Sequence, residues 1–358
     1  MRKIFNIGFI GCGRIAGHHF KALEKNDNFK VTCICDLNFK KAEHYIKKYK
    51  VKYYSHYKLM LKNEKNLDIV VIMTPSGMHY EHALFILRNY KLDIIVEKPT
   101  FLKTSQVKNI YKIARRRKKK IFPVFQNRYN PAVKRLKKAI DMGELGEIRV
   151  ISVRVRWCRP QRYYDLSVWR GTYSHDGGAL TNQGIHHLDL LRNLFGEVKK
   201  INSNMKTFGA KIEVEDSVTA NLEFTNGAIG SLEILTSARP KDYEASISVV
   251  GSKGLAQLGG WAVNELQTFS PKPKECIKFS QKIPDAYGFG HYDLYKDIAK
   301  DKLRKKKFNI DFYDCFKTIQ LLNSFYVSSE RKKTILVNKI VDSKNLGRKN
   351  EKISKIYR

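Results

Sequence analysis

The sequence predicts an α/β fold in which an N-terminal, doubly wound parallel sheet is followed by a second α/β unit with an open-faced, mostly antiparallel sheet. Two observations predict it. In the first third of the chain, short β-branched runs alternate with stretches of helical apolar spacing, as in parallel sheets that carry helices on both faces. From residue 147 onward the apolar runs are longer and are joined by turn residues such as Thr225, Asn226 and Gly227, as in antiparallel sheets.

The elements follow one another along the chain. In the first part, strands are predicted at residues 5–10, 31–35, 69–73, 94–96 and 121–125, and helices at 18–25, 40–49, 78–89 and 105–115. A further helix begins at Pro131, with Asn130 as its N-cap. In the second part, strands are predicted at residues 148–157, 201–206, 217–224, 229–236 and 246–250, and helices at 184–195, 292–300 and 311–329.

The chain is long enough for two domains, because 358 residues exceed the usual size of one. We place the first domain at residues 1–125, the second at 126–340, and a basic tail, which we expect to be frayed, at 341–358. No apolar run approaches the roughly 20 residues that cross a bilayer, and the chain opens on a strand instead of a signal peptide. A cytoplasmic protein without a membrane partner is therefore expected.

The charge of the chain is strongly positive, with 68 Lys and Arg residues against 34 acidic residues and a formal net charge of +34. This balance is compatible with nucleic-acid binding or with lysine-rich helix surfaces. Because the excess is spread along the chain and no nucleic-acid module accompanies it, we expect no nucleic-acid partner. Such a surface would still attract an anionic small molecule. The six cysteines include no CxxC pair, so no metal site is predicted.

A glycine-rich turn follows the first predicted strand and opens the first helix. Its GxGxxA pattern consists of Gly11, Gly13 and Ala16, with Arg14 and Ile15 between the last two. Such a turn lets the backbone approach a pyrophosphate, which then rests on the helix N-terminus. The alternative interpretation is an ordinary strand–helix turn.

Asp36 supports the dinucleotide interpretation, because it ends the second strand at the place where a carboxylate takes the ribose hydroxyls. Its alternative role is a helix N-cap. Leu37 and Asn38 follow it, so no arginine is present to pair with a 2′-phosphate. The sequence therefore favours NAD over NADP, although Lys40 and Lys41 leave the second cofactor open.

Polar residues also follow two later strands of the parallel sheet, whose carboxyl ends are the ligand-binding edge of such sheets. Thr74, Ser76 and His79 follow one strand, and Glu97 and Lys98, held by a proline, follow the next. A lysine here is suited to stabilise negative charge that develops on a substrate oxygen. The alternative for the second set is a surface Glu–Lys pair at a strand end.

A third set of polar residues lies in the second domain. Trp169 and Arg170 precede a glycine pair, and Asn182 and His186 are spaced i, i+4, so that they can share one face at the start of a helix. A histidine that points into a cleft can take the proton of a hydroxyl group. Taken alone, a histidine such as His186 is more often a satisfied core residue, but beside Glu97 and Lys98 the functional interpretation is favoured. His187 and Asp189 are assigned structural roles.

Together these motifs resemble the Gfo/Idh/MocA oxidoreductases, and the resemblance covers nearly the whole chain. It implies a Rossmann domain that binds NAD, and an α/β domain whose open-faced sheet forms a homo-oligomer, a dimer or a tetramer. It makes Lys98 and His186 the catalytic pair. It places cofactor contacts at Gly11, Gly13, Arg14, Ile15, Asp36, Thr74, Ser76, His79, Glu97, Lys98, Gln126, Trp169 and Arg170.

One position departs from the family pattern. Many relatives have Asp within a D-x-G-x-H pattern where this chain has Asn182. An amide cannot take a proton, so acid–base work falls on His186 and Lys98, and Asn182 is left to hydrogen-bond the substrate.

Within the family, residues 126–131, 154–164 and 182–187 resemble one subgroup, the UDP-N-acetylglucosaminuronate 3-dehydrogenases. The resemblance implies oxidation of the C3 hydroxyl in surface-polysaccharide synthesis, with 2-oxoglutarate as a possible reoxidant of NADH. Substrate contacts are expected from Lys98, Arg156, Arg159, Tyr163, Asn182 and His186. The guanidinium groups suit a carboxylate or a diphosphate, but they are also compatible with a solvated basic face. The alternatives are oxidation of a free sugar or inositol, and a non-catalytic NAD-binding protein.

Overall fold

The structure is a computed structural model that describes residues 3–339 and 342–358. The strands are β1 Phe5–Ile10, β2 Phe29–Cys35, β3 Lys52–Tyr54, β4 Ile69–Ile72, β5 Asp93–Val96, β6 Ile121–Pro123, β7 Ile148–Arg156, β8 Val198–Lys206, β9 Ser217–Phe224, β10 Ile229–Leu235, β11 Glu244–Gly251, β12 Leu255–Gly259, β13 Glu265–Phe269 and β14 Ile335–Leu336. The helices are α1 Ala16–Glu24, α2 Phe39–Tyr49, α3 Tyr57–Asn63, α4 His79–Asn89, α5 Thr104–Arg116, α6 Pro131–Asp141, α7 Gln161–Tyr164, α8 Gly178–Asn182, α9 Ile185–Phe195, α10 Glu275–Phe279, α11 Gly290–Lys302, α12 Phe312–Arg331 and α13 Glu351–Tyr357.

The first sheet is parallel throughout the described residues, with the strand order β3-β2-β1-β4-β5-β6. Every residue of β4 and β5 is buried, as expected for strands covered by helices on both faces. The direction of strand succession reverses between β1 and β4, where the carboxyl ends of the strands leave a crevice for a ligand. The predicted doubly wound fold is confirmed.

The second sheet has the order β13-β12-β11-β7-β10-β9-β8-β14, and among the described strands only β7 and β10 pair in parallel. Along β7, Ile151, Val153 and Val155 are buried, whereas Val150 before them and Arg154 between the last two are exposed. This alternation gives the sheet one packed face and one open face. The predicted open-faced, mostly antiparallel sheet is confirmed.

Two helices that come late in the sequence pack against the first part of the chain. On α11, the Tyr295 hydroxyl lies 2.7 Å from His19 Nδ1 of α1. On α12, Asn323 donates to the carbonyl of Leu102 at 3.0 Å, while Phe325 accepts a hydrogen bond from Ser203 of β8 at 2.7 Å. The helix α12 therefore joins the two sheets into one packed unit.

The expectation of a frayed tail is wrong for the part of it that is described. Residues 342–358, which we call the 342–358 segment, end in α13 and pack against the first domain, with Leu346 and Ile353 buried. Arg358 forms a two-pronged ion pair with Glu81 of α4, at 2.6 and 2.9 Å. The basic composition suggested a solvated tail, but its few apolar side chains and its paired charges give it a docking site.

Smaller differences between the prediction and the structure concern short strands and one helix cap. The strands β3, β12, β13 and β14 were not predicted, because strands of two to five residues carry little periodicity. Asn130 precedes α6 as predicted, but its amide donates to the carbonyl of Ala262 at 2.7 Å and does not cap the helix. Among the described residues, no helix is long and apolar enough to cross a bilayer.

Asp342 supplies a testable contact between the 342–358 segment and α5. Its carboxylate accepts hydrogen bonds from the backbone N–H and the hydroxyl of Thr104, both at 2.6 Å, and from those of Ser105 at 3.2 and 2.6 Å. Burial opposes ionisation, but these hydrogen bonds outweigh it and lower the pKa of Asp342. The carboxylate thus serves as an N-terminal cap supplied from a distant part of the chain.

We predict that Asp342→Asn lowers the free energy of unfolding at pH 7 by roughly 1 to 2 kcal/mol, measured by urea denaturation. Because the pKa is lower in the folded state, this stabilisation is present above the unfolded pKa and is lost as the pH falls through the folded pKa. The difference between the variant and the parent protein should therefore shrink in acid. Glu43→Gln, which removes an exposed ion pair with Lys47, is the control and should change stability little.

Candidate active site

The glycine turn after β1 has the shape that a dinucleotide requires. Gly11 has φ of +99°, and a β-carbon there would lie 2.7 Å from the carbonyl oxygen of Met73. A β-carbon on Gly13 would meet nothing within 4 Å, so the backbone is open on that side. Cys12 between them is buried, and burial raises the pKa of its thiol, which suits a space-filling role.

Asp36 lies directly beside this turn. Its Oδ2 accepts a hydrogen bond from the Cys12 backbone N–H at 2.7 Å, and its Oδ1 accepts one from Asn38 N–H at 2.8 Å. The N-cap of α2 is Asn38, whose side chain accepts from Lys40 N–H at 3.0 Å. The N-cap alternative for Asp36 is therefore wrong. An open glycine turn with a carboxylate fixed beside it fits a dinucleotide.

The residues after β4 are brought to the same crevice. Ser76 is buried in a short 3₁₀ turn, Ser76–Met78. His79 is also buried, and its Nε2 lies 2.9 Å from the Thr74 carbonyl while its Nδ1 lies 2.8 Å from that of Pro99. Each ring nitrogen of His79 thus faces a backbone carbonyl, and because burial lowers the pKa of His79, the neutral ring donates to one of the two. His79 connects the loops after β4 and β5.

Glu97 ends β5 as a buried carboxylate with two imidazole partners. Its Oε1 lies 2.9 Å from His19 Nε2 and 3.4 Å from His291 Nε2. Burial opposes ionisation, but the hydrogen bonds from these histidines hold the pKa of Glu97 well below its usual value. The carboxylate also accepts from the Lys98 backbone N–H at 3.0 Å. Glu97 therefore anchors α1 and α11 to the strand end that carries Lys98.

His19, Glu97 and His291 are also the one group among the described residues with metal-like donors, whose ligand atoms lie within 4.8 Å of one another. Both nitrogens of His19 already have partners, because Nδ1 bonds Tyr295 and Nε2 bonds Glu97. Hydrogen bonds thus account for both nitrogens of His19, whereas His291 Nδ1 has no partner among the described residues. Neither histidine was predicted from the sequence, since neither is one of the residues that define a motif.

Lys98 extends across the crevice to the second domain. Its Nζ donates to the backbone carbonyl of Asn182 at 2.7 Å and lies 3.5 Å from the Asn182 side-chain oxygen. Burial lowers the pKa of Lys98, while the negative charges of Glu97 and Asp176 oppose that shift. The structure thus brings together Lys98 and Asn182, two of the predicted substrate contacts.

Asp176 is a site residue that sequence reasoning missed. It is buried, its Oδ2 accepts from Gly171 N–H at 2.7 Å, and its Oδ1 accepts from the Asn182 amide. Burial raises the pKa of Asp176, and its charge acts on Lys98. Where many relatives have Asp, this chain therefore has Asn182, whose amide donates a hydrogen bond to the carboxylate of Asp176, six residues earlier. The adjacent glycine pair was the only available signal.

His186 lies in the first turn of α9 and faces Gln126. The two Nε2 atoms are 3.2 Å apart, and His186 Nδ1 and Gln126 Oε1 have no hydrogen-bond partner among the described residues. Burial first, and then the charge of Lys98, lowers the pKa of His186 well below its usual value. The imidazole is therefore neutral at neutral pH, with Nε2 facing the Gln126 amide and Nδ1 unpartnered among the described residues.

An ion pair fixes the distance between His186 and Gln126. Arg128, in the same 3₁₀ turn as Gln126, binds both oxygens of Asp189 on α9 at 2.6 Å. This arrangement confirms the structural role assigned to Asp189. The expected single helix face for Asn182 and His186 is not formed, because Asn182 ends α8 and His186 begins α9. Both nevertheless reach the same crevice.

Three guanidinium groups surround Tyr163 at the mouth of the crevice. The Arg170, Arg14 and Arg159 Cζ atoms lie 4.3, 5.6 and 5.7 Å from its ring centroid, and Arg170 also lies 4.6 Å from the Trp169 ring. Arg14 comes from the glycine turn, whereas the other two come from the second domain. We call Arg14, Arg159 and Arg170 the arginine cluster. It suits an anionic ligand that spans both domains.

Arg156 does not belong to this cluster, and the prediction that it contacts the substrate is corrected. It lies on the open face of the second sheet, where its Nε and Nη2 bind Glu233 at 2.7 and 2.8 Å. Glu244 lies 3.4 Å from its Nη1. Strand alternation places Arg156 on the face opposite to the buried Val155, whereas Arg159 lies beyond the end of the strand, where the chain turns toward the crevice.

Comparisons with known proteins agree with this geometry. A family model described as an oxidoreductase family with an NAD-binding Rossmann fold matches residues 5–125, and the model of the GFO/IDH/MocA C-terminal domain matches residues 133–257. Glucose-6-phosphate 3-dehydrogenase of Bacillus subtilis is 28% identical over 69% of this chain and 72% of its own length.

Two solved structures are similar over nearly the whole chain. The WlbA dehydrogenase of Chromobacterium violaceum, in complex with NADH and UDP-GlcNAcA, is 33% identical, with a TM-score of 0.86 over 94% of this chain and 96% of its own. The WlbA dehydrogenase of Bordetella pertussis, with the same two ligands, is 30% identical, with a TM-score of 0.86 over 93% and 98%. The predicted enzyme class and cofactor are confirmed: the chain is an NAD-dependent sugar dehydrogenase.

The contact between His186 and Gln126 yields a prediction on pH dependence. Gln126→Glu places a carboxylate against His186, which should raise the pKa of the imidazole. Because His186 must be neutral to accept a proton, the acidic limb of the pH profile of kcat should move to higher pH, by roughly 1 to 3 pH units. NAD reduction measured from pH 5 to 10 tests this prediction. Gln257→Glu, on the second sheet beside Gln267, is the control and should leave the profile in place.

Proposed function

We propose that this chain, which belongs to the Gfo/Idh/MocA oxidoreductase family, oxidises the C3 hydroxyl of UDP-N-acetylglucosaminuronic acid to the 3-keto sugar with NAD. The observation that carries the proposal is the arginine cluster, which lies at the mouth of the crevice that holds Lys98 and His186. Guanidinium groups bind carboxylates and phosphates in a two-pronged geometry, and this substrate offers both.

The roles of the residues follow from their chemistry. NAD, when bound on the glycine turn, supplies the hydride acceptor. The Lys98 ammonium stabilises the negative charge that develops on the C3 oxygen, and the amide of Asn182 hydrogen-bonds the sugar. His186 takes the hydroxyl proton at Nδ1, its unpartnered nitrogen. In the structure the Gln126 amide nitrogen lies 3.2 Å from His186 Nε2, a contact that places the ring proton on Nδ1. We propose that the amide is turned by 180°, so that its unpartnered oxygen accepts from His186 Nε2–H and the Nδ1 lone pair is free.

The setting of the reaction follows from this substrate. We place the enzyme in the cytoplasm, within the synthesis of a surface polysaccharide, with 2-oxoglutarate as the oxidant that regenerates NAD on the enzyme. We also propose a homo-oligomer, a dimer or a tetramer, formed through the open face of the second sheet. The exposed apolar side chains of Val150, Ile229, Val250 and Leu255 on the strands of that sheet support this interface.

A second candidate function is oxidation of a sugar without a nucleotide. The likeness to glucose-6-phosphate 3-dehydrogenase favours it, because that substrate also carries an anionic group. It would use Lys98 and His186 in the same way but would need fewer cations at the mouth of the crevice.

A substrate panel separates the two functions. NADH formation, followed by absorbance, should appear with UDP-N-acetylglucosaminuronate and be far weaker with UDP-N-acetylglucosamine, glucose 6-phosphate and myo-inositol. Arg159→Ala should raise KM for the uronate by tenfold or more, about 1.4 kcal/mol. Arg156→Ala, whose guanidinium is bound to Glu233, is the matched control and should leave KM unchanged. Equal activity on UDP-N-acetylglucosamine, glucose 6-phosphate or myo-inositol would refute the proposed substrate.

Lys98→Ala tests the proposed catalytic pair. Loss of the ammonium should lower kcat by roughly 10²- to 10³-fold, as for removal of one donor that stabilises a developing oxyanion. NADH binding, measured by fluorescence, should persist, because the glycine turn and Asp36 are unchanged. Lys47→Ala on α2, far from the crevice in an exposed ion pair, provides the control. Full turnover by Lys98→Ala would show that the proposed constellation is wrong.

A further inference from the structure

We propose that the 342–358 segment forms a wall of the dinucleotide site and sets how long the cofactor stays bound. The segment lies across both domains next to the crevice, and its contacts involve residues that belong to the cofactor site itself. Release of the cofactor would then require this segment to undock. The inference concerns cofactor exchange and does not depend on which sugar is oxidised.

The segment is attached to the second domain beside the site residue Asp176. The backbone N–H of Gly347 donates to the carbonyl of Tyr173 at 2.8 Å. A β-carbon on Gly177 would lie 2.7 Å from Cδ1 of the fully buried Leu346, so the segment packs directly on the glycine pair. On α13, the Ser354 hydroxyl lies 3.2 Å from His175 Nε2.

The same segment is attached to the first domain through His82. The carbonyl oxygen of Tyr357 lies 2.9 Å from His82 Nε2, and Thr74 Oγ1 lies 2.9 Å from His82 Nδ1. Burial lowers the pKa of His82 to about 4, so the ring is neutral. One tautomer satisfies both contacts, because Nε2–H donates to Tyr357 while Nδ1 accepts from the Thr74 hydroxyl. Thr74 at the cofactor edge and Tyr357 are thus joined by a single ring.

The Tyr357 side chain is half-buried, and the backbone carbonyl of the same residue meets His82 at 2.9 Å. Burial raises the pKa of its phenol, the charge of Asp36 raises it further, and the charge of Arg170 lowers it. These charges belong to the carboxylate beside the glycine turn and to an arginine of the cluster, which agrees with a position of Tyr357 next to the cofactor site.

The segment is suited to open without unfolding the rest of the protein. The helix α13 has only 7 residues, which is too short to be stable alone in water. Its attachment combines the buried side chains of Ile353 and Ser354 with a partly exposed ion pair between Arg358 and Glu81. Such elements belong to the low-stability end of a structure and open locally. The rate of that opening would limit the exchange of the dinucleotide.

The test is the dissociation rate of NADH from the full chain, measured by rapid mixing of the NADH-loaded protein with excess NAD. Tyr357→Ala and Arg358→Ala should each raise this rate about tenfold or more, because most interface changes act on dissociation. Tyr357→Phe, which keeps the ring, should release NADH at nearly the rate of the parent protein. Lys47→Ala on α2 is the control for the loss of an exposed ion pair.

Hydrogen exchange of the unmodified protein provides an independent measurement. Saturating NADH should slow backbone exchange of residues 351–357, whereas exchange in β9 should not change. Unchanged dissociation rates in both alanine variants, or no protection of residues 351–357 by NADH, would overturn the inference. Neither measurement uses a sugar, so failure here is distinguishable from failure of the proposed substrate.

Discussion

The buried carboxylate of Glu97 is the interaction on which the arrangement of the site depends. It joins the end of β5 to His19 on α1 and to His291 on α11, two helices separated by more than half of the chain. A buried charge is costly unless it is paired and hydrogen-bonded, so these partners must be present for the fold to hold the carboxylate. Because Lys98 follows Glu97 in the chain, the same contacts fix the backbone position from which the Lys98 side chain extends.

The positive charge of Lys98 is balanced by groups within the crevice, because the protein as a whole carries a net positive charge. Lys98 is held by the carbonyl of Asn182, and the amide of Asn182 is held in turn by Asp176. This sequence of contacts keeps one carboxylate close to the ammonium without placing it against the substrate. Within the arginine cluster, Arg159 Nη1 is paired with Asp242 at 2.8 Å, whereas the buried Nε of Arg170 has no hydrogen-bond partner among the described residues and is available to an anionic ligand.

The 342–358 segment shows how a basic composition can mislead. Its lysines and arginines suggested solvation, yet Asp342, Leu346 and Arg358 each find a specific partner on the body of the protein. Docking across both domains couples the cofactor edge of the first sheet to the glycine pair of the second domain. The open face of the second sheet, which holds Arg156, remains available for contacts between copies of the chain.

The local parts of this protein are predictable from its amino-acid sequence. The sequence singled out the glycine turn, Asp36, Lys98 and His186, because each lies in a motif or at the end of a predicted element. The contacts between distant segments depend on the tertiary structure. His19, Asp176 and His291 were missed and Arg156 was misplaced, because burial, pairing and the direction of a side chain depend on which elements pack together. Periodicity along one strand carries no information on which face will lie next to the cofactor crevice.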